Sequence, residues 1–177
     1  MTTHSRSSPL CLPAAALAGG LLLAGCVSDY GPRAPRTPAS AAPDTLVPIA
    51  SDFVDTDQNR FRDTTRVVVY VYADSGRYPI PVAADGAFEF RIENPAGERV
   101  AAWVFDREQT RAAMRQLAPG PGFVFELSLL APGSGGDRVA DSEGQLSVLF
   151  TPSHGSPISA RPTAPLLIGA LAPTALR

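Results

Sequence analysis

The chain of 177 residues is predicted to be mainly β: an immunoglobulin-like β-sandwich with one short helix, flanked by disordered termini. Several short runs are rich in β-branched and aromatic residues, and turn signals separate them every eight to twelve residues or so, a spacing typical of a sandwich. Only one segment has helical spacing of its apolar residues. A chain of this length can bury one sizeable core, and we expect the sandwich to span residues 49–152.

The first strands are predicted from runs of apolar residues. Residues 66–73 read RVVVYVYA, which indicates a strand buried on both faces or nearly so. Residues 78–83 contain two prolines and are expected to form an edge or a crossing segment, since proline donates no ladder hydrogen bond. In residues 87–93, AFEFRIE, apolar and charged residues alternate, which predicts a strand with one buried face. Residues 99–105, RVAAWVF, are the next predicted strand.

A change of period then predicts the single helix. Asp106 can cap it, and Gln109 completes a capping-box pair three residues later. One helix face is expected to carry the residues spaced by three and four, Thr110, Ala113, Met114 and Leu117. The helix is expected to end before Pro119, and two further strands are predicted at 123–130 and 145–150, on either side of a glycine-rich loop.

The N-terminus predicts export and attachment to lipid. Residues 10–24 form an apolar run, broken by Pro13, that is too short to span a bilayer. The run ends in LAGC at 23–26, which resembles the bacterial lipoprotein box at every position. The resemblance implies that residues 1–25 are a signal peptide, and that Cys26 carries the two or three acyl chains that durable anchoring needs. An ordinary secretory signal is the alternative.

The rest of the composition bears on location and partners. Cys11 would leave with the signal, so the mature chain would have neither a free thiol nor a disulfide. The basic residues are all arginine and are scattered, which argues against nucleic acid as a partner. Residues 26–48, rich in Pro and Ala, are expected to be a tether, and residues 153–177 a disordered tail. We expect the protein at the cell membrane or outer membrane, facing the periplasm or the exterior.

One loop before the second predicted strand has the spacing of a calcium site. It reads DTDQNRFRD, from Asp55 to Asp63. Asp55, Asp57 and Asn59 would supply side-chain oxygens, Phe61 its carbonyl oxygen, and Asp63 the closing carboxylate, in the 1, 3, 5, 7, 9 pattern of hard-cation loops. An ion held there would be expected to fix the join between the tether and the domain.

Two departures from that pattern leave a second interpretation open. Arg60 stands where the sharp turn of such a loop prefers glycine, and Arg66 stands where an EF-hand has its bidentate glutamate. The alternative is a turn whose Asp and Asn side chains accept hydrogen bonds from the loop's own backbone amides. No cofactor is required by the sequence, and calcium, bound weakly, is the one for which it offers ligands.

Two resemblances support the predicted fold. The lipoprotein box, the DTDQNRFRD loop, the VVVYVY strand and the 86–130 run together resemble a group of uncharacterised bacterial lipoproteins, which implies no particular activity. Within the same run, the order of several scaffold residues resembles the BsuPI-type proteinase-inhibitor domain, an immunoglobulin-like sandwich. These residues are Gly97, Glu98, Val100, Trp103, Leu117, Pro119 and Gly120. No inhibitory loop is carried over, so this resemblance implies the fold alone.

The sequence offers few groups for catalysis, and the chain is not expected to be an enzyme. The mature chain would keep one histidine, His154, and contains no lysine and no G-x-S-x-G motif. The expected function is that of a membrane-anchored cell-envelope lipoprotein displaying a β-sandwich with a structural or binding role, its partner being an envelope protein or a glycan. The alternative is an envelope protease inhibitor or assembly chaperone that acts through a sandwich loop.

Overall fold

The structure is a computed structural model that describes residues 41–171. The predicted signal peptide, Cys26 and most of the predicted tether lie outside these residues, as do residues 172–177. The elements in chain order are β1 (Thr45–Ala50), β2 (Phe61–Arg62), β3 (Thr64–Tyr72), β4 (Gly86–Glu93), β5 (Arg99–Phe105), α1 (Arg107–Ala113), β6 (Met114–Leu117), β7 (Gly120–Ser128), β8 (Glu143–Pro152), β9 (Ile158–Ser159), β10 (Leu166–Leu167) and β11 (Gly169–Ala170).

Two antiparallel sheets form the sandwich, and their strand orders are those of an immunoglobulin-like fold. One sheet has the order β1-β3-β7-β6, and the other has the order β10-β8-β4-β5 with β9 also paired to β8. In the same pairing order, β1, β3, β7 and β6 correspond to strands A, B, E and D of that fold. The strands β10, β8, β4 and β5 correspond to G, F, C and C′. The predicted fold class is therefore confirmed. A small third sheet pairs β2 with β11.

Alternation of buried and outward-facing residues along β3, β4 and β8 builds the core between the sheets. In β4 the residues predicted to point inward are buried, and Phe90 and Ile92 have no exposed surface. The ring of Phe88 lies 5.2 Å from those of Phe123 and Phe125 and 4.6 Å from that of Phe150, measured between centroids. Because these rings come from both sheets, their packing joins the two layers.

The strand at 66–73 alternates more than its composition indicates. Val67, Val69 and Val71 are fully buried, whereas the residues between them, Val68 and Tyr70, are half-buried. The inner face packs on the second sheet, and the outer face, although apolar, is left partly open to solvent. The segment at 78–83 forms no strand; it crosses between the sheets, where the Val82 amide donates to the Val71 carbonyl at 2.8 Å.

The helix begins as predicted and ends earlier than predicted. The Asp106 carboxylate accepts the Gln109 amide at 2.8 Å, and the Gln109 side chain accepts the Asp106 amide at 3.0 Å, which confirms the capping box. However, α1 ends at Ala113, and Met114 to Leu117 form β6, paired with β7. The prediction of one helix face that includes Met114 and Leu117 is wrong, because pairing with β7 replaces the last helical turn.

The prediction of a disordered tail from residue 153 is wrong for the described part. β9 and β10 pair with β8, and Leu166 and Ile168 are buried in the core. The prolines of this segment lie between the short strands and break its pattern, yet its alternating apolar residues still reach the core. The sandwich therefore extends from Thr45 to at least Ala170 rather than over 49–152.

Replacing Ile168 with Ala should destabilise the sandwich by about 2–5 kcal/mol, the usual cost of removing a fully buried aliphatic side chain. Leu167→Ala is the matched control, because its side chain is 40% exposed and should cost less than about 1 kcal/mol. Urea unfolding of the two variants measures both values. Equal stabilities would contradict the place of the C-terminal segment in the core.

Asp85 joins three elements at the end of the sandwich where β4 begins. Its carboxylate accepts hydrogen bonds from the Arg107 guanidinium, from Ser153 Oγ at 2.7 Å and from Arg111 Nη2 at 3.4 Å. These bonds, with that from Arg107 first and that from Ser153 next, lower the pKa of Asp85 to about 2. The carboxylate is therefore ionised in the folded protein well below the pH at which it protonates in the unfolded chain.

Because the pKa of Asp85 is lower in the folded protein than in the unfolded chain, its carboxylate stabilises the fold when the pH is above the unfolded-state pKa. This contribution is lost as the pH falls toward the folded-state pKa. The wild type should therefore melt at a higher temperature than Asp85→Asn at neutral pH. The difference should narrow between about pH 4 and pH 2. Thermal melts of both proteins across this range are the measurement, with Glu126→Gln, an exposed acid in β7, as control. A gap between wild type and Asp85→Asn that is independent of pH would contradict the role of this carboxylate.

Candidate metal-binding loop

The loop from Asp55 to Asp63 lies at the end of the sandwich toward which β1 runs. β1 begins opposite Tyr72, at Thr45, and ends opposite Val67, at Ala50. The chain therefore enters the sheet at the far end from the loop, and the expectation that an ion here would fix the join with the tether is wrong. The loop instead contacts the C-terminal segment, because β2 pairs with β11 and the Leu171 amide donates to the Arg60 carbonyl at 2.9 Å.

Three of the predicted ligands come together in the structure. Asp55, Asp57 and Asp63 each place a carboxylate oxygen within 4.8 Å of the other two. Asp63 is fully buried, Asp55 is half-buried, and Asp57 is exposed. Carboxylate oxygens in such a group are the ligands that hard cations such as Ca²⁺ prefer.

Asp63 is held by its neighbours as well as placed near the other acids. Its two oxygens accept the Thr56 amide at 2.8 Å and the Thr56 hydroxyl at 2.5 Å. Burial raises the pKa of this carboxyl, but hydrogen bonds from Thr56 and Thr64 together outweigh it and hold the pKa below the usual value. The group is thus a buried, ionised carboxylate.

The exposed part of the loop satisfies its own backbone. The Asn59 amide donates to Asp55 at 3.2 Å and to Asp57 at 3.1 Å, and the Arg60 amide donates to Asp55 at 2.8 Å. The Asn59 side-chain oxygen accepts the Phe61 amide at 2.8 Å, so it is already engaged. This is the arrangement expected of a turn rich in Asp and Asn, the second of the two interpretations.

The backbone is left-handed at two positions of the loop, one of them the position where calcium loops prefer glycine. Arg60 has φ of 72°, and Gln58 has φ of 64°. These are left-handed values that glycine adopts freely and that other residues adopt at a cost. Arginine therefore occupies the position that favours glycine without removing the turn.

Asp137 is a functional candidate that the sequence did not indicate. It lies in the loop between β7 and β8, it is 8% exposed, and its carboxylate accepts the Asn59 side-chain amide. Next to it, the Arg138 guanidinium lies 5.8 Å from the centroid of the Phe61 ring. A single Asp in a glycine-rich loop has no sequence signal that would pair it with a residue 78 positions away.

The structure thus brings together the three carboxylates among the five predicted ligands, those of Asp55, Asp57 and Asp63. The Asn59 side-chain oxygen accepts the Phe61 amide with one of its two lone pairs, and Phe61 begins β2 beside Ala170. These three carboxylates suit a calcium ion. Backbone amides of the loop also donate hydrogen bonds to them, which partly compensates their negative charge when no ion is bound. Calcium binding stays a prediction.

Calcium should raise the melting temperature of the wild type by a few degrees at several millimolar. This expectation assumes a dissociation constant of about 10⁻⁴–10⁻³ M, which gives about 1–2 kcal/mol of stabilisation. Asp57→Asn should abolish the rise, because it removes the exposed carboxylate while the shape of the side chain is kept. Glu126→Gln, on β7, should keep it. A wild-type melting temperature that does not change with calcium would exclude the metal site.

Comparison with known proteins does not assign the chain to a family. A scan against protein-family models finds no match, and a search of curated proteins finds none. A function for the chain has therefore to be drawn from its own residues.

Proposed function

We propose that the chain is a membrane-anchored lipoprotein of the cell envelope that displays an immunoglobulin-like sandwich in a binding or structural role. The observation that carries this proposal is the LAGC sequence at 23–26, at the end of the apolar run 10–24. The motif, its position and the preceding run agree with one another. Among residues 41–171, no helix is long and apolar enough to cross a membrane. The attachment we propose is acylation of Cys26.

The length of chain between anchor and sandwich supports display close to the bilayer. Residues 27–44, rich in Pro and Ala, connect Cys26 to the start of β1. A flexible segment of this length has a root-mean-square extent of about 23 Å, and a fully extended one reaches about 60 Å. The sandwich would thus be held within roughly its own dimensions of the membrane, with the 55–63 loop at the end away from the tether.

An acidic cleft in the described surface supports a binding role. A cleft of about 270 Å³ lies at the loop end, and its charged lining residues are Glu93 and Glu143. Its other side chains are those of Asn94, Gln145 and two prolines, with no nucleophile or cation beside the carboxylates. His154 lies in the turn after β8.

Cys26→Ala should release the protein from the membrane and abolish incorporation of a labelled fatty acid, because the proposed anchor is the acylated sulfur and amine of this residue. Cys11→Ala is the matched control, since Cys11 lies within the predicted signal peptide and should leave both properties unchanged. Fractionation of envelope membranes with radiolabelled palmitate measures both. A Cys26→Ala protein that remained in the membrane fraction would overturn the proposal.

A further inference from the structure

The outer surface of the β1-β3-β7-β6 sheet is a continuous apolar face. Residues directly opposite one another in an antiparallel pair lie on the same face of a sheet, and the register aligns Val47 with Tyr70, and Ile49 with Val68 and Val124. We call this surface the outer β3 face. Its apolar members are Val47, Ile49, Val68, Tyr70, Tyr72, Leu117 and Val124.

The members of the outer β3 face are accessible and lie close together. Ile49 is 56% exposed and Val47 is 39% exposed, while the other five are half-buried. Gly122 lies beneath the centre of the face, where a Cβ atom would be 2.9 Å from the Tyr70 ring and 3.0 Å from Leu117 Cδ1. Tyr70 and Leu117 thus close over this glycine, and the face has no gap at its centre.

Charges lie at the margins of the outer β3 face. Arg66 and Glu126 are opposite each other on β3 and β7, and both are exposed. Arg115 is on β6, opposite Gly122. The margin named here thus has two cations and one anion. Apolar patches of a few hundred Å² on monomeric proteins often have a function, so an apolar centre with charges at its margin makes this face a candidate contact surface.

The size of the face argues against a second copy as its occupant. Four strands about 4.8 Å apart and about six residues long make a face on the order of 400 Å². A stable protein pair usually buries about 800 Å² on each partner. A lipid surface has no such minimum, because an anchored protein is already held beside it and needs only a weak additional contact.

The position of the tether favours the bilayer. Residues 27–44 lead directly into β1, which is the edge strand of this same sheet. An extent of about 23 Å for this segment is close to the length of the face. Tyrosine is also the residue, with tryptophan, that is enriched at the level of lipid headgroups, and Tyr70 and Tyr72 lie near the end of the sheet where the tether enters.

We propose that the outer β3 face rests on the lipid bilayer. Val47 and Ile49 enter the boundary between headgroups and acyl chains, and the two tyrosines lie at headgroup level. The sandwich then lies on its side, and the β10-β8-β4-β5 sheet is directed away from the membrane. This proposal rests on the proposed function, because the anchor brings the face to the bilayer.

One introduced cysteine would be the only free thiol of the lipidated protein, because Cys26 would be acylated and Cys11 would leave with the signal peptide. A fluorophore on that thiol can report which face of the sandwich contacts the bilayer. Ile49→Cys places an environment-sensitive fluorophore on the outer β3 face, and Thr151→Cys places it on an exposed position of β8 in the other sheet. In vesicles of phosphatidylethanolamine and phosphatidylglycerol, iodide quenching at position 49 should be at least about twofold weaker than at position 151, since a lipid surface shields a contacting group. Melting curves confirm that both labelled proteins are folded.

Three other outcomes overturn the proposal, each for a different reason. Equal quenching at both positions, with the protein still floating with the vesicles, removes the bilayer contact and leaves the anchor intact. Loss of flotation removes both the anchor and the contact. Protection at position 49 that disappears when the same protein is spread over more vesicles shows that a second copy covers the face.

Discussion

The packing of phenylalanine rings between the two sheets is the contact on which the rest of the structure depends. Phe88 lies within 5.9 Å of four other rings, those of Phe90, Phe123, Phe125 and Phe150, measured between centroids. Residues 41–171 contain no cysteine, so no disulfide supports this part of the chain. Stability there comes from buried apolar area, and a one-residue slip of any strand would turn its rings toward solvent.

Because the core sets the strand register, it also decides which loops meet. β1 and β7 both run toward one end, so the 55–63 loop and the loop that follows β7 converge there, and Asn59 reaches Asp137. The C-terminal segment closes the same end. Its Leu167 carbonyl accepts the Phe53 amide at 3.2 Å. At Gly169, with φ of 67°, a Cβ atom would lie 2.3 Å from the Asp141 carbonyl oxygen, so only glycine fits.

Features that depend on neighbours in sequence could be predicted, and features that depend on distant pairing could not. The alternation of β4 and the capping box of Asp106 are local, and both are present. The spacing of Met114 and Leu117 suits a helix equally well, and only the strand at β7 decides against one. β9, β10 and β11 have two residues each, which is too short for any periodicity. The grouping of three carboxylates follows from spacing, whereas the hydrogen bond between Asn59 and Asp137 depends on the fold.

The two outer faces of the sandwich differ in a way that bears on how it would be used. The β3 side is apolar at its centre. The opposite sheet carries Glu89 and Arg91, paired at 2.6 Å, and exposed polar residues of β8, with one exposed apolar residue, Val104 of β5. An antiparallel sheet with one free face normally has polar residues there, so the opposite sheet is the ordinary one and the β3 side is the exception.

A bilayer over the apolar side would account for that asymmetry without any protein partner. It would also leave a binding partner only the polar sheet and the loop end, where Asp55 and Asp57 are accessible. Polar contacts of this kind contribute more to specificity and association rate than to affinity. A partner of the displayed sandwich should therefore be sought among weak, salt-sensitive interactions, and under conditions that keep the protein on a membrane.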